Sequence, residues 1–348
     1  MKIAVYAISK NEEEFVKSFC KSAKDADLIL IADTGSTDKT IEKAKEYGAI
    51  VHNIYISPWR FDKARDSALC LLPSDIDVCI SLDLDETLED GWRSEIERIW
   101  KPETTRMKYL FDWSGGVVFH SDKIHSRKGY YWHHPCHETL RADPRLEEHW
   151  VSTDKLLISH HPDPTKSRGQ YLDILRVASI EDPHCPRNAF YYARELAFKG
   201  KHPEAIVALQ KYLAMPEATW NVDRSYAYRT LGKSYDEVGL DGTEFYLKSQ
   251  KEMPNTREPL FALALSYYSK KMWQECFDIS QQVVAIKDKT LAYTVNPDAY
   301  GPQPHDILAI SSYHLGLYQE ARLHGKLALD LDPNNTRLIQ NLQFYNIR

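Results

Sequence analysis

The run Asp83-Leu84-Asp85-Glu86 contains two aspartates, Asp83 and Asp85, that are two residues apart. The preceding apolar run, Asp77–Leu82, is typical of a buried strand, so the carboxylates follow the carboxyl end of that strand. Ligands of open α/β sheets bind at this edge. Neighbouring carboxylates repel each other unless a cation neutralises them, and oxygen ligands suit Mg²⁺ or Mn²⁺. A metal site is therefore one interpretation, and an acidic first turn of a following helix is the other.

A second polar cluster, Asp33-Thr34-Gly35-Ser36-Thr37-Asp38, follows an earlier predicted strand, residues 28–32. Gly35 permits a tight backbone turn, and Thr37 or Asp38 can cap the following helix. The backbone N–H groups of such a turn can face a polar or anionic ligand. A plain strand-to-helix turn explains Gly35 and the cap, but it does not explain Asp33 at the strand's carboxyl edge.

The spacing of apolar residues divides the 348-residue chain into two parts. Residues 1–165 alternate short apolar runs with helical patterns, which predicts a mostly parallel sheet covered by helices and extended by antiparallel strands. Residues 166–348 repeat one pattern of small residues, a Gly-containing turn and a Glu-Ala pair, which resembles tetratricopeptide repeats. The run from Asn296 to Pro304 is interpreted as an insertion. Predicted elements of the first part are strands 3–8, 28–32, 50–54, 78–82, 108–111 and 117–119, and helices 12–23, 37–47, 61–71 and 91–100.

Composition adds bounds on the class of protein. The hydrophobic content of 43% and the charged content of 27% are ordinary for a soluble globular protein. The net charge of −6 gives weak grounds against broad nucleic-acid binding, although a local basic groove would be compatible with it. The six cysteines form no CxxC pair, which favours reduced thiols over a disulfide framework or a zinc site. The sequence shows no signal peptide or membrane span, so we expect a soluble, cytoplasmic protein.

Three segments of the sequence together resemble, in order and spacing, a family 2 glycosyltransferase of the GT-A fold. They are Ala7–Glu12, Asp33–Asp38 and Asp83–Glu86. The resemblance covers roughly residues 1–140 and is closest to the branch that joins this domain to tetratricopeptide-like repeats, as in peptide S-glycosyltransferases. Trp59–Asp66 is similar to that branch's aromatic-then-Ala-Arg-Asn element, although Asp66 replaces the usual Asn. His133–Leu140 resembles its His-Glu element.

The resemblance implies a role for each matching residue. Asp33 would bind the nucleotide base, Arg65 the donor diphosphate and Asp83 the donor ribose or sugar. The donor would be a nucleotide sugar, most simply a UDP-sugar, held with Mn²⁺ or Mg²⁺, and the enzyme would invert the anomeric carbon. The remaining residues of the implied nucleotide pocket are Ile8, Ser9, Glu12, Gly35 and Leu84.

The metal would be held by Asp85 and His137, and Glu138 would be the general base, with Asp85 or Glu86 as rivals. A general base is needed because the acceptor hydroxyl or thiol must lose its proton as it attacks. Without the family match, Arg65 reads as an exposed helix residue paired with Asp62 or Asp66. His160–Pro164 is interpreted as the end of the catalytic domain, with a metal role as the less favoured alternative.

Basic and aromatic residues between positions 123 and 145 are interpreted as a solvated loop over the site, able to contact sugars, bases or phosphates. The acceptor is open: a peptide or protein side chain suits an extended repeat surface, and a nucleic-acid base or a glycan is an alternative. A repeat scaffold without catalysis is a further alternative. Self-association through the repeats is also an expectation.

Overall fold

The computed structural model describes residues 1–163 and 169–346 and divides the chain into two compact units, Met1–Ala178 and Ser179–Arg348. The predicted boundary between residues 165 and 166 lies outside the described residues. The predicted α/β unit followed by helical repeats is confirmed by the elements of each unit.

The first unit is built on an eight-stranded sheet in the order β3-β2-β1-β4-β7-β6-β10-β5. The four strands at one end, β3, β2, β1 and β4, are mutually parallel, and β7 joins them to the remainder by antiparallel pairing. Strand β6 pairs parallel with β10, and β5 closes the edge antiparallel to β10. The strands are β1 (Ile3–Ser9), β2 (Leu28–Asp33), β3 (Ile50–Asn53), β4 (Val78–Ser81), β5 (Glu86–Leu88), β6 (Arg106–Asp112), β7 (Val118–Ser126), β8 (Tyr130–His133), β9 (Thr139–Ala142) and β10 (Trp150–His160).

Four helices follow the early strands: α1 (Val16–Ser22), α2 (Thr40–Glu46), α3 (Phe61–Leu71) and α4 (Trp92–Ile99). The predicted bounds of α3 are confirmed. The predicted strands 3–8, 28–32 and 78–82 agree closely with β1, β2 and β4, whose apolar runs are buried. The predicted strand 117–119 covers only the start of β7, because polar residues fill most of that strand. Helix α1 begins later than the predicted Glu12 because Asn11 has a left-handed φ of 54° and turns follow it.

The acidic run 83–86 does not begin a helix. Glu86 starts β5, which pairs with the end of β10, and α4 begins only at Trp92. The interpretation of this run as a helix cap is therefore wrong, because residues 83–85 form a turn that leads into a strand at the sheet edge.

The predicted solvated loop is also wrong over most of its length. Strand β7 is part of the main sheet, and β8 pairs with β9 in a separate two-stranded sheet. Tyr130, Trp132 and His125 are buried, and Leu140 packs with the first two in a small apolar cluster. Burial alternates along β8, so Tyr130 and Trp132 face the interior while Tyr131 is exposed.

The second unit consists of helices that contact one another in sequential pairs, which confirms the predicted repeats. The first helices of four pairs begin at residues 186, 221, 257 and 303, so the last interval is longer. The longer interval holds a 3-10 helix, Pro297–Tyr300, whose Ala299 carbonyl accepts a hydrogen bond from buried Arg257. Helix α5 (Tyr171–Glu181) begins within the residues of the first unit. The later helices are α6 (Pro186–Phe198), α7 (His202–Leu213), α8 (Asn221–Glu237), α9 (Thr243–Glu252), α10 (Arg257–Ser269), α11 (Trp273–Ala285), α12 (Gln303–His314), α13 (Tyr318–Leu331) and α14 (Thr336–Asn346).

Two glycines let α8 approach the start of α9. A Cβ atom at Gly242 would lie 2.1 Å from the carbonyl oxygen of Gly232, so neither helix could approach this closely with larger residues. In the part of the chain that the structure describes, no helix combines the length and apolar character needed to cross a bilayer.

Candidate functional site

The candidate site lies where β1, β2 and β4 end. Ser9 and Asp33 are register partners at the carboxyl ends of β1 and β2, while Asp83 and Asp85 follow β4 on the other side of β1. The chain adds β2 and β3 on one side of β1 before it returns to add β4 on the other. Such a reversal leaves a crevice at the carboxyl edge where ligands of α/β sheets bind.

Asp33 is fully buried and shapes the turn that follows β2. Its Oδ1 accepts hydrogen bonds from the backbone N–H groups of Gly35 (2.9 Å) and Ser36 (2.8 Å). Its Oδ2 accepts from the hydroxyls of Ser36 and Ser9, the latter at 2.8 Å. Gly35 has a φ of +101°, a conformation that side chains rarely adopt. The contact of Asp33 with a nucleotide base stays a prediction, since four protein donors occupy its oxygens here.

The other predicted pocket residues differ in what they can offer a ligand. Ile8 is half-buried, and Glu12 is mostly buried with its backbone N–H bonded to the Thr40 hydroxyl at 2.8 Å. Leu84 is fully buried in the main hydrophobic core. Its side chain therefore cannot line the pocket, and only its backbone could contact a ligand.

Arg65 holds the centre of the site. It is 4% exposed on α3, and its guanidinium donates from Nη2 to Asp83 Oδ1 at 2.5 Å and from Nε to Glu138. Although burial opposes the charged form, these two carboxylates raise the pKa of Arg65 well above its usual value. The interpretation of Arg65 as an exposed partner of Asp62 or Asp66 is wrong.

The rejected partners of Arg65 have other contacts. Asp62 forms an ion pair with Arg60 at 2.9 Å, and Asp66 accepts a hydrogen bond from the backbone N–H of Trp132 at 2.7 Å. Trp132 also lies under the Arg65 guanidinium, 5.1 Å from its ring centroid to the Arg65 Cζ. Asp66 thus connects α3 to β8 beside Arg65, which gives this side chain a structural role.

A second cation, Lys123, is partly buried, with 24% of its side chain exposed, and lies beside Glu86 and Asp83. Its Nζ donates to Glu86 Oε1 at 3.2 Å and lies 4.0 Å from Asp83 Oδ2. Burial raises the pKa of Glu86. Burial disfavours the charged form of Lys123, but the carboxylates of Glu86 and Asp83 raise its pKa. The sequence predicts a loop at Lys123, because the polar run from His120 to Lys123 gives no alternating signal that would indicate its position in β7.

Asp85 is approached by His160, the last residue of β10. The His160 Nε2 atom lies 3.5 Å from Asp85 Oδ2, and both side chains are mostly buried. The backbone carbonyl of Asp85 also accepts a hydrogen bond from His161 N at 2.7 Å. Although burial alone would lower the pKa of His160, its contact with Asp85 raises it. Sequence reasoning treated His160 as a domain terminus, because the pairing of β10 with β5 is not visible in the sequence.

His137 and Glu138 occupy the turn between β8 and β9. His137 has a left-handed φ of 52°, and its ring centroid lies 6.0 Å from that of Tyr171. Glu138 faces Arg65, with 11% of its side chain exposed. The imidazole that contacts Asp85 is that of His160, so the assignment of His137 as a metal ligand stays a prediction.

The residues around Asp85 fit a divalent cation in part. A carboxylate and an imidazole are suitable ligands for Mn²⁺, and such ions commonly take their remaining ligands from substrate phosphates and water. Over residues 1–163 and 169–346, no three His, Cys, Asp or Glu side chains are grouped so that they could hold an ion. Asp85 and His160 would thus be the protein ligands, and the phosphates of a donor would complete the set.

A buried polar chain supports the Trp132 ring beneath Arg65. The Trp132 Nε1 donates to the Tyr6 hydroxyl at 2.9 Å, which lies 3.0 Å from His125 Nε2. The other ring nitrogen of His125 lies 2.8 Å from the Ser126 carbonyl oxygen, so Nδ1 donates and Nε2 accepts from Tyr6. Burial lowers the pKa of His125 to about 3, which keeps the imidazole neutral.

This neutral imidazole predicts an acid-sensitive fold. The unfolded chain takes up a proton at His125 near its ordinary pKa of 6.5, whereas the folded chain does so only near 3. Stability is therefore fully present above pH 6.5 and falls toward pH 3, by at most about 1.4 kcal/mol per pH unit. Urea unfolding of the wild type and of His125→Gln between pH 7 and 4 measures this slope. Equal slopes in both proteins would contradict the prediction.

The chain is similar in sequence to curated proteins over a limited stretch. Over 103 residues it is 31% identical to a protein of Rickettsia typhi described as an uncharacterized glycosyltransferase, and 32% identical to one of Rickettsia conorii with the same description. Each match covers 28% of this chain, and 33% and 34% of the two relatives, so the chain spans about a third of their length. No protein-family model matches the chain.

Solved structures give a weak likeness. TarS of S. aureus aligns with 68% of this chain and 54% of its own, at 13% identity and a TM-score of 0.42. A TPR protein of Thermus thermophilus aligns with 51% of this chain and 89% of its own, at 15% identity and a TM-score of 0.37. Both TM-scores are below 0.5, so neither likeness carries an argument about function.

Proposed function

We propose that the chain is an inverting, metal-dependent glycosyltransferase that uses a nucleotide sugar, most simply a UDP-sugar. The observation that carries the proposal is the convergence of Asp33, Arg65, Asp83 and Asp85 at the carboxyl edge of β1, β2 and β4. The partial similarity to curated proteins described as glycosyltransferases supports it.

In the proposed reaction, Arg65 binds the donor diphosphate, because a guanidinium fork matches phosphate oxygens. A Mn²⁺ or Mg²⁺ ion would be held by Asp85 together with either His160 or the predicted His137. The ion would neutralise the charge that develops on the departing diphosphate. Asp83 faces the donor ribose or sugar. Donor binding then exchanges protein carboxylates for phosphate oxygens around Arg65.

Glu138 is the proposed general base, and its contact with Arg65, the proposed diphosphate ligand, supports this role. It takes the proton of the acceptor hydroxyl or thiol as the acceptor atom bonds to the anomeric carbon and the bond to the diphosphate breaks. Glu86 is a poorer base because its side chain is 2% exposed, against 11% for that of Glu138, so an acceptor reaches it less easily. Asp85 is engaged by His160, which leaves it the proposed metal ligand.

The proposed acceptor is a peptide or protein side chain, with a thiol as one specific case. Stacked helix pairs offer an extended surface suited to a peptide segment. A nucleic-acid base and a glycan are the alternative acceptors. A DNA affinity that falls steeply with salt would favour the nucleic-acid version, because phosphate contacts release counterions.

Calorimetry of the full chain with UDP and Mn²⁺ tests the proposal. We expect saturable UDP binding that is lost when EDTA removes the metal, since diphosphate and metal share one site. Transfer is then read by mass spectrometry of candidate peptides after incubation with a panel of UDP-sugars. A chain that binds no UDP with or without Mn²⁺ would contradict the proposed activity.

One observation favours the alternative of a repeat scaffold without catalysis. The oxygens of Asp33 and the fork of Arg65 are both engaged by protein groups in the described conformation. A scaffold would keep these contacts permanently, whereas an enzyme must exchange those of Arg65 when its donor binds. The same calorimetry decides between them, since only the enzyme binds UDP.

A further inference from the structure

Trp113 lies on the hairpin turn between β6 and β7 with 43% of its surface exposed. Its backbone N–H donates to the Val117 carbonyl at 2.9 Å, and the N–H of Ser114 donates to Asp112 Oδ1 at 2.8 Å. Ser114 and the two glycines that follow have left-handed backbones, which closes the turn tightly. The indole is therefore presented on a well-defined hairpin.

The Trp113 ring stacks on His160, the imidazole that contacts Asp85. The two ring centroids are 4.4 Å apart with an angle of 26° between the planes, and His160 Nδ1 lies 3.3 Å from the Trp113 carbonyl oxygen. Phe111 lies 6.0 Å from the Trp113 ring and carries the Lys123 ammonium 5.7 Å from its own centroid. An exposed indole thus adjoins the proposed metal ligands and an aromatic cluster with a cation.

A second exposed tryptophan on β10 provides a comparison. Trp150, at the opposite end of that strand from His160, is 41% exposed. Its ring is covered by Arg106, with Cζ 4.6 Å from the centroid, and by Lys108, with Nζ at 5.3 Å. Cation contacts account for Trp150 in structural terms. The Trp113 ring instead packs against His160 at the candidate site.

We propose that Trp113 is a stacking platform for a pyranose ring. The apolar C–H face of a sugar packs on an indole face, while its hydroxyl groups need charged or polar partners, which Asp85 and Lys123 can supply. The proposal rests on the proposed function and deepens it, because the ring would belong to the donor sugar or to a sugar acceptor. Both sources share this chemistry, and they are separated by experiment.

The test compares wild type, Trp113→Ala, Trp113→Phe and the matched control Trp150→Ala as full chains with Mn²⁺. Calorimetry measures UDP and the UDP-sugars UDP-glucose, UDP-galactose and UDP-N-acetylglucosamine. Saturation-transfer NMR measures the methyl glycosides of the same sugars in the presence of UDP. We expect Trp113→Ala to weaken sugar binding roughly tenfold, at the low end of the effect that removing an aromatic partner has on a stacked nucleobase. Trp113→Phe and Trp150→Ala should retain most of the affinity.

The pattern of losses identifies the sugar. A loss for UDP-sugars with unchanged UDP affinity assigns the platform to the donor, and a loss confined to methyl glycosides assigns it to the acceptor. Equal losses for UDP and UDP-sugars would overturn the proposal, because Trp113 would then only hold His160 in place. Unchanged binding in both arms would also overturn it. A wild-type chain that binds no UDP contradicts the proposed function instead.

Discussion

Replacement of Arg65 by methionine is expected to lower the free energy of unfolding by about 3–5 kcal/mol, the usual cost of breaking a buried ion pair from one side. The cation is 4% exposed and neutralises Asp83 and Glu138, and the side chain of Glu138 is itself mostly buried. Methionine fills much of the volume but leaves both carboxylates without this partner. Loss of UDP affinity should accompany the loss of stability.

Urea unfolding at pH 7 measures this change against a matched surface pair. Arg145 donates hydrogen bonds of 2.9 and 2.8 Å to Asp143, with 90% of the Arg145 side chain and 33% of the Asp143 side chain exposed. Because solvent screens exposed pairs, Arg145→Met should cost far less stability than Arg65→Met. The double variant Arg65→Met/Glu138→Gln should recover part of the stability by removing one buried charge. If Arg65→Met were as stable as Arg145→Met, the ion pairs of Arg65 would not stabilise the fold.

Replacement of Asp85 by asparagine is expected to abolish metal-dependent UDP binding and donor hydrolysis. The side chain keeps its shape but loses the charge that would hold a divalent cation beside His160. The loss of affinity should exceed the roughly 10–100-fold that removal of an outer-shell partner costs. Calorimetry with UDP and Mn²⁺ measures the affinity, and release of free sugar from UDP-glucose measures hydrolysis.

A carboxylate–imidazole pair elsewhere on β10 provides the control. Asp154 and His120 lie 2.8 Å apart on the surface, with 75% of the Asp154 side chain exposed. Asp154→Asn should leave UDP binding unchanged, while circular dichroism confirms that Asp85→Asn remains folded. Full activity of Asp85→Asn would exclude Asp85 as the metal ligand.

The local elements of the sheet could be predicted from the sequence because their signals are local. Strands β1, β2 and β4 are continuous apolar runs, and α3 shows helical spacing between residues that favour turns. The polar residues that end these strands could also be placed at one edge, because parallel strands share a direction. The repeating helix pairs were predictable for a similar reason, since each pair carries its own pattern.

The contacts of the site were not predictable in this way. His160 contacts Asp85 because β10 pairs antiparallel with β5, and these strands are far apart along the chain. Arg65 was expected to face solvent or a ligand, and its pairing with Glu138 depends on the turn between β8 and β9. Two short strands with mixed polarity leave little periodic signal, so that turn read as part of a loop.

By itself, the sequence determined the two-part architecture and which carboxylates meet at the strand ends, because hydrophobic period and strand direction are local properties. Only the tertiary structure decided which groups neutralise them. Arg65 pairs with Asp83, Lys123 lies beside Glu86 and Asp83, and His160 contacts Asp85. The physical reason is that the buried carboxylates of Asp85 and Glu86 need polar partners, and the partner that reaches each of them is set by strand order and register.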